Sequence, residues 1–253
     1  MTPDVVVDVG NSRIKWGRPG PGGSFEKWSL PPDEPGVWDE AINRAGKSGP
    51  VRWAVAGVHP ARRDRFVSWA EGRGDSVLVI RTFAQLPLRV EVDEPAAVGI
   101  DRLLNAVGAR LELPASTPAV IIDVGTAMTV DLLDDRHVYV GGAILPGPRM
   151  MFEALHRYTA KLPLVEGSTI PSIDPPGKNT HDAISVGVMA ATLGAADVLV
   201  REYAALCRNR PWVVMTGGAL GGLADYHFGE VENTITCDTL TLRGIYSTAE
   251  ALP

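Results

Sequence analysis

With 253 residues, 45% apolar and 21% charged, the chain can bury the cores of two modest domains and has the balance of an ordinary soluble globular protein. A formal net charge of −6 argues against a general nucleic-acid or anionic-membrane surface, although local N–H groups, a lysine and metal ions can still hold a nucleotide on an acidic protein. Cys207 and Cys237 have no metal-ligand spacing and form no disulfide framework; they read as idle thiols of a reducing compartment, with one bridge as the alternative.

The chain opens on Val5-Val6-Val7-Asp8-Val9-Gly10, and residues 4–9 and 13–16 predict the two arms of a hairpin. Asp8 interrupts the apolar run, so no signal-peptide core is expected. No stretch is expected to approach the roughly 18 apolar residues of a membrane span, which makes a cytoplasmic protein the expectation. Residues 17–36 are rich in Gly and Pro and read as a surface loop with room for a short strand at Phe25–Leu30. The pattern then predicts a helix at Val37–Ala45, a buried strand at Val51–Val58, a helix at Ala61–Glu71 and a strand at Ser76–Arg81. Gly99-Ile100-Asp101-Arg102 opens a helix through residue 112, with Leu103, Leu104, Val107 and Leu111 at helical spacing. LPASTP at 113–118 is the best domain boundary and divides the chain into 1–115 and 116–253.

The second part repeats the grammar with strands at 119–124, 127–133 and 137–144, then a helix begun by Gly147-Pro148. After a Pro- and Gly-rich stretch at 163–178, Asn179-Thr180 offers an N-cap for a helix over about 181–206, with Ile184, Val188, Ala191, Ala195 and Leu199 along one face. Trp212–Met215 reads as a strand delivering Thr216-Gly217-Gly218, and a short helix around 239–249 ends the chain.

The most informative feature is a repetition: VVVDVG at 5–10 and VIIDVG at 120–125. A buried strand ending in a Gly-containing turn presents backbone N–H groups to a phosphate. Two such hairpins predict an α/β fold of two similar domains that pinch a nucleotide phosphate chain. For one copy alone, an ordinary tight turn with an Asp capping its own backbone is the better reading; two copies reverse that. Gly10 and Asn11 let the backbone approach a phosphate, Lys15 can neutralise its charge, and Asp8 can hold Mg²⁺ through waters.

Five ordered motifs carry a resemblance: DVGNSRIK (8–15), GIDR (99–102), DVGTA (123–127), GGAILPG (141–147) and NTHDAI (179–184). Together they resemble the type III pantothenate kinases, over residues 4 to about 218. That resemblance implies two ribonuclease-H-like, actin-like ATPase domains with a nucleotide cleft between them. It implies ATP-dependent phosphorylation of the primary hydroxyl of pantothenate to 4'-phosphopantothenate, the first step of coenzyme A biosynthesis. Asp8, Val9, Gly10, Asn11, Ser12, Arg13, Ile14 and Lys15 would then form the first ATP turn, and Gly125 and Thr126 the second, with Gly217 and Gly218 under adenine or ribose. Asp123 would help hold a monovalent cation, potassium or ammonium. Gly99, Ile100, Asp101, Arg102 and Thr180 would meet the acceptor, and Asp101 would be the catalytic base. A homodimer is implied, with Thr180 serving the partner chain's substrate.

Other readings stand beside these roles. Asp101 and Thr180 also suit helix capping, Asp123 a strand end, and Gly217-Gly218 a strand-to-helix turn. Asp131 reads as structural. Val92 stands where the family commonly has an aromatic residue, which puts substrate choice or affinity in question. Segment 17–36 receives no functional reading. His59, His137, His156, His181 and His227 lack metal spacing, and the six Trp form no aromatic-plus-basic stripe for nucleic acid. The competing classes are a nucleotide-binding regulator on the same scaffold and a kinase for another small hydroxy acid.

Overall fold

By its internal contacts the chain divides into two units, Met1–Glu112 with Thr239–Pro253, and Leu113–Asp238. The computed structural model describes residues 1–21, 24–46, 49–167, 174–229, 231 and 233–252, so residues 22–23 of the first Gly/Pro-rich segment and 168–173 of the second lie outside the described residues. The first unit contains β1 (Val5–Val9), β2 (Ile14–Pro19), β3 (Phe25–Leu30), α1 (Pro35–Arg44), β4 (Arg52–Gly57), α2 (Pro60–Gly72), β5 (Ser76–Val79), the two-residue β6 (Arg89–Val90) and α3 (Ile100–Glu112). The second contains β7 (Ala119–Val124), β8 (Ala127–Leu133), β9 (Val138–Pro146), α4 (Pro148–Tyr158), α5 (Thr180–Ala204), β10 (Trp212–Thr216) and β11 (Thr234–Thr236); α6 (Leu240–Ala251) then returns to the first.

The repetition read in the sequence is a repetition of topology. In the first unit the strand order is β3-β2-β1-β4-β5, with antiparallel pairing from β3 to β1 and parallel pairing from β1 to β5. In the second, β9-β8-β7-β10-β11 reproduces that order and those pairings strand for strand. β1 and β7 are therefore equivalent central strands. Both are buried apolar runs, as a strand covered on both faces requires.

Within segment 17–36 the expected short strand at Phe25–Leu30 forms with those bounds. β2 continues to Pro19, and β3 pairs along its whole length, from Ile14 opposite Leu30 to Pro19 opposite Phe25. β3 is an edge strand that buries little, which makes its pattern faint in the sequence. Behind this sheet Trp16, Trp38, Trp53, Phe66 and Trp69 form an aromatic cluster, with centroids 5.0–5.9 Å apart and mostly edge-to-face. Four of the six Trp thus build one core.

The expected division into 1–115 and 116–253 puts the last helix with the second half, whereas α6 packs on α3 in the first unit. Glycines make that approach possible. A Cβ on Gly108 would lie 2.3 Å from the Leu240 carbonyl oxygen, and one on Gly244 2.0 Å from that of Leu104. The buried Thr241 hydroxyl donates to Asn105 Oδ1 at 2.7 Å, so the seam is polar as well as tight. Leu111 is 56% exposed, because the buried face of α3 ends at Ala109.

In α5 the buried positions are Ile184, Ser185, Val188, Thr192, Ala196 and Val200; Ala191 is exposed, and Leu199 is part-buried against the core. A strict four-residue spacing winds around a helix of 3.6 residues per turn, so its start packs with Phe152 and Val165 and its end against β7, β8 and β10. Thr192 is buried because its hydroxyl donates to the Val188 carbonyl at 2.8 Å. Against the expectation that no stretch approaches a span, α5 is long and apolar enough to cross a membrane, with a mean hydropathy of 1.9. One such helix is weak evidence for a span; a third of its most apolar window is buried, along the winding stripe.

Candidate active site

The first turn follows from the β1–β2 register, which pairs Val9 with Ile14 and leaves Gly10 to Arg13 to reverse the chain. The Gly10 N–H donates to the Arg13 carbonyl at 3.1 Å and closes the loop. Val9 and Ile14 are fully buried and form its base, while Asn11, Ser12 and Arg13 are exposed. Asp8, 8% exposed, lies directly across from Lys15, so a carboxylate and an ammonium group share one cross-strand position below the turn. On the other side of β1, β4 comes so close at its end that a Cβ on Gly57 would sit 2.5 Å from the Val9 carbonyl oxygen.

The second turn is built alike. β7 and β8 pair Val124 with Met128, and the Gly125 N–H donates to the Ala127 carbonyl at 2.9 Å. Two glycines press on it from behind. Gly147, just before α4, donates its N–H to the Thr126 carbonyl at 3.1 Å, and a Cβ there would lie 2.2 Å from the Gly125 carbonyl oxygen. Gly217, leaving β10 at φ +107°, would put a Cβ 2.3 Å from the Val124 carbonyl oxygen, and both restrictions favour glycine. Around Gly218 there is open space. The structure thus brings Gly125, Thr126 and Gly217 together and adds Gly147, the last residue of the GGAILPG motif, to which the sequence reading assigned no role at the turn.

Asp123 stands in register with Thr129 on β8 and Thr216 on β10, giving a row of oxygen-bearing side chains on one face of the sheet. These two threonines had no role in the sequence reading; only strand register reveals them. Among the described residues no group of three or more His, Cys, Asp and Glu side chains could hold a metal ion. An all-oxygen donor set nevertheless suits a hard cation such as potassium at Asp123.

Asp101 lies in the first turn of α3, one residue inside it, and not at the cap. Arg102 and Leu103 donate their N–H groups to the Gly99 carbonyl, at 3.1 and 3.4 Å. The Asp101 carboxylate accepts the Arg102 N–H at 2.8 Å, and a carboxylate is favoured at this end of a helix. Thr180, by contrast, is freed from capping. Asn179 caps α5, accepting the Asp182 N–H at 2.9 Å, and Thr180 is exposed beside it. His59 caps α2, and the rings of His137 and His156 contact the Thr117 and Leu162 carbonyls, so these three are structural.

The family model for type III pantothenate kinase matches residues 5–202. The chain belongs to the type III pantothenate kinase family. A type III pantothenate kinase from Halorhodospira halophila is 35% identical over 87% of this chain and 88% of its own. One from Fervidobacterium nodosum is 31% identical over 96% and 95%. In fold, the chain is similar to a Campylobacter jejuni protein assigned to the Baf family of transcriptional activators, with a TM-score of 0.61 at 18% identity over 98% of both chains. Membership of the type III pantothenate kinases makes this an actin-like ATPase fold and a kinase-type enzyme. Each unit carries one of the two Asp-Val-Gly turns, and the GIDR motif begins α3.

Proposed function

We propose that the protein transfers the γ-phosphoryl group of ATP to the primary hydroxyl of pantothenate. One observation carries this beyond nucleotide binding: Asp101 and Arg102 stand side by side and part-exposed in the first turn of α3, where the Asp101 carboxylate also accepts the Arg102 N–H. A binding module has no use for a carboxylate at an acceptor hydroxyl. Phosphoryl transfer runs through a loose transition state, so the protein's task is to position and neutralise. Asp101 orients the hydroxyl and takes its proton late, as charge leaves the oxygen. Arg102 offers a forked cation to the acceptor's carboxylate or a phosphate oxygen. The N–H groups of the two turns and Lys15 receive the phosphates, with Gly217 and Gly218 toward the nucleoside. Mg²⁺ beside Asp8 and a monovalent cation held by Asp123 with Thr129 and Thr216 would supply further charge neutralisation when bound.

The protein would act as a cytoplasmic homodimer, with Thr180 serving the partner's acceptor; the exposure of Met150, Tyr158 and Val198 on α4 and α5 supports a covered face there. The deciding experiment is ADP release with ATP, Mg²⁺ and K⁺, with and without pantothenate, for the native protein and Asp101→Asn. Pantothenate-dependent turnover that falls about 10²- to 10⁴-fold in the variant is expected. No turnover with pantothenate, while another hydroxy acid is phosphorylated, would replace the acceptor. Nucleotide binding without any turnover would favour the regulator.

A further inference from the structure

The two turns are pinned from behind at the same carbonyl, but by different devices. In the second, the carbonyl of the residue after glycine, Thr126, accepts the Gly147 N–H. In the first, the corresponding carbonyl, that of Asn11, accepts from Nη1 of Arg62, near the start of α2. The rest of that guanidinium is held in place: Nε and Nη2 donate to Asp33 Oδ2 at 3.1 and 2.8 Å. Asp33 belongs to the Gly/Pro-rich segment 17–36, and its other oxygen accepts from Arg65 Nη1 at 2.8 Å. The same segment reaches the far end of the turn, where Arg13 Nε donates to the Ser29 hydroxyl at 3.1 Å.

A trans peptide is planar, so its C=O and the following N–H point in opposite directions. Fixing the Asn11 carbonyl toward α2 therefore aims the Ser12 N–H away from α2. Gly147 fixes the direction of the Ala127 N–H in the second turn by the same geometry. We propose that Arg62 is a positioning residue, held by Asp33, that sets the first turn for the phosphates of a nucleoside triphosphate. The proposal rests on reading that turn as a phosphate site. It gives segment 17–36 a task, since it supplies both Asp33 and Ser29. Arg62 does not itself touch the nucleotide; it acts through the peptide between Asn11 and Ser12.

The test is direct binding of a non-hydrolysable ATP analogue with Mg²⁺, by calorimetry, beside steady-state kinetics. The panel is the native protein, Arg62→Ala, Arg62→Lys, Asp33→Asn and Arg65→Ala. Arg62→Ala should weaken analogue binding and raise the ATP KM about tenfold, the loss of one charge-assisted hydrogen bond, ~1.4 kcal/mol, with the pantothenate KM unchanged. Arg62→Lys, with a single donor for the carbonyl, should recover part of that loss, and Asp33→Asn should weaken binding about threefold. Arg65→Ala shares the carboxylate without touching the turn and should bind as the native protein does. If Arg62→Ala does not fold, the Lys and Asn variants carry the same comparison. Native-like binding by the Arg62 variants, or an equal loss in Arg65→Ala, overturns the positioning role alone. Failure of the native protein to bind the analogue overturns the phosphate reading and the inference with it.

Discussion

Gly147→Ala tests whether the second turn depends on close backbone approach. At φ −70° and ψ 165° residue 147 has a conformation any amino acid adopts, so the obstacle is purely spatial. The new Cβ would stand 2.2 Å from the Gly125 carbonyl oxygen, 2.6 Å from that of Thr126 and 3.0 Å from the Thr126 carbonyl carbon. Non-bonded carbon atoms rest at about 3.5 Å, so something must retreat by roughly 1 Å, and every obstructing atom is backbone. Overpacking of this kind costs about 2–3 kcal/mol, which in a chain of this length lowers Tm by roughly 5–10 °C. A turn displaced by about 1 Å should also cost on the order of 10²-fold in kcat/KM for ATP. Thermal unfolding and steady-state kinetics read both effects. The control is Gly218→Ala, where a Cβ meets open space and Tm should not move. Gly147→Ala with native Tm and native kinetics would refute the claim that residue 147 braces the turn.

Two further perturbations test parts of the fold away from the turns. Asp75, 9% exposed, accepts the Val51 N–H and Trp53 Nε1, each at 2.9 Å, and pairs with Arg73; Asp75→Ala should cost about 3 kcal/mol in urea unfolding, and a loss below about 1 kcal/mol would show that the network is dispensable. Burial, then the nearby Asp135 and Asp134 carboxylates, push the Cys207 thiol up from an ordinary 9.0 to about 11. In folded Cys237→Ser protein, the iodoacetamide labelling rate should therefore reach half its maximum near pH 11, while in urea it does so near pH 9. The proton is held more tightly in the folded state, so the stability this thiol contributes is complete below pH 9 and is lost as pH rises toward 11. A folded-state midpoint near pH 9 would refute the shift.

The strands around both turns were legible because buried central strands leave continuous apolar runs, and a repeated run constrains the fold twice over. Less visible was anything whose signal is spread over distant residues. In segment 17–36 the strand at Phe25–Leu30 was legible with the bounds it has, whereas the continuation of β2 to Pro19 was hidden by the glycines and prolines there. The home of α6 was hidden because the signal is a pair of glycines, Gly108 and Gly244, separated along the chain and meaningful only once two helices touch. The α5 stripe was misread at Thr192, since a buried hydroxyl that bonds its own helix counts as polar in a sequence pattern. For the site, motif residues were legible, whereas Thr129, Thr216, Arg62 and the contact of Gly147 with the second turn required register or proximity to be seen.

The two hairpins differ in a way that bears on how each can be altered. In the second, the brace is a main-chain N–H placed by the strand-to-helix junction before α4. It can be moved only by changing the path of the backbone, and the 2.2 Å approach leaves no room for that. In the first, the brace is a half-buried side chain whose orientation depends on a carboxylate in the Gly/Pro-rich segment. Substitution at Asp33 or Arg62 changes that turn without touching a strand, a helix or the aromatic core. The brace of the first turn can thus be altered by side-chain substitution alone, whereas that of the second cannot, and the first turn is the one that follows Asp8 and precedes Lys15.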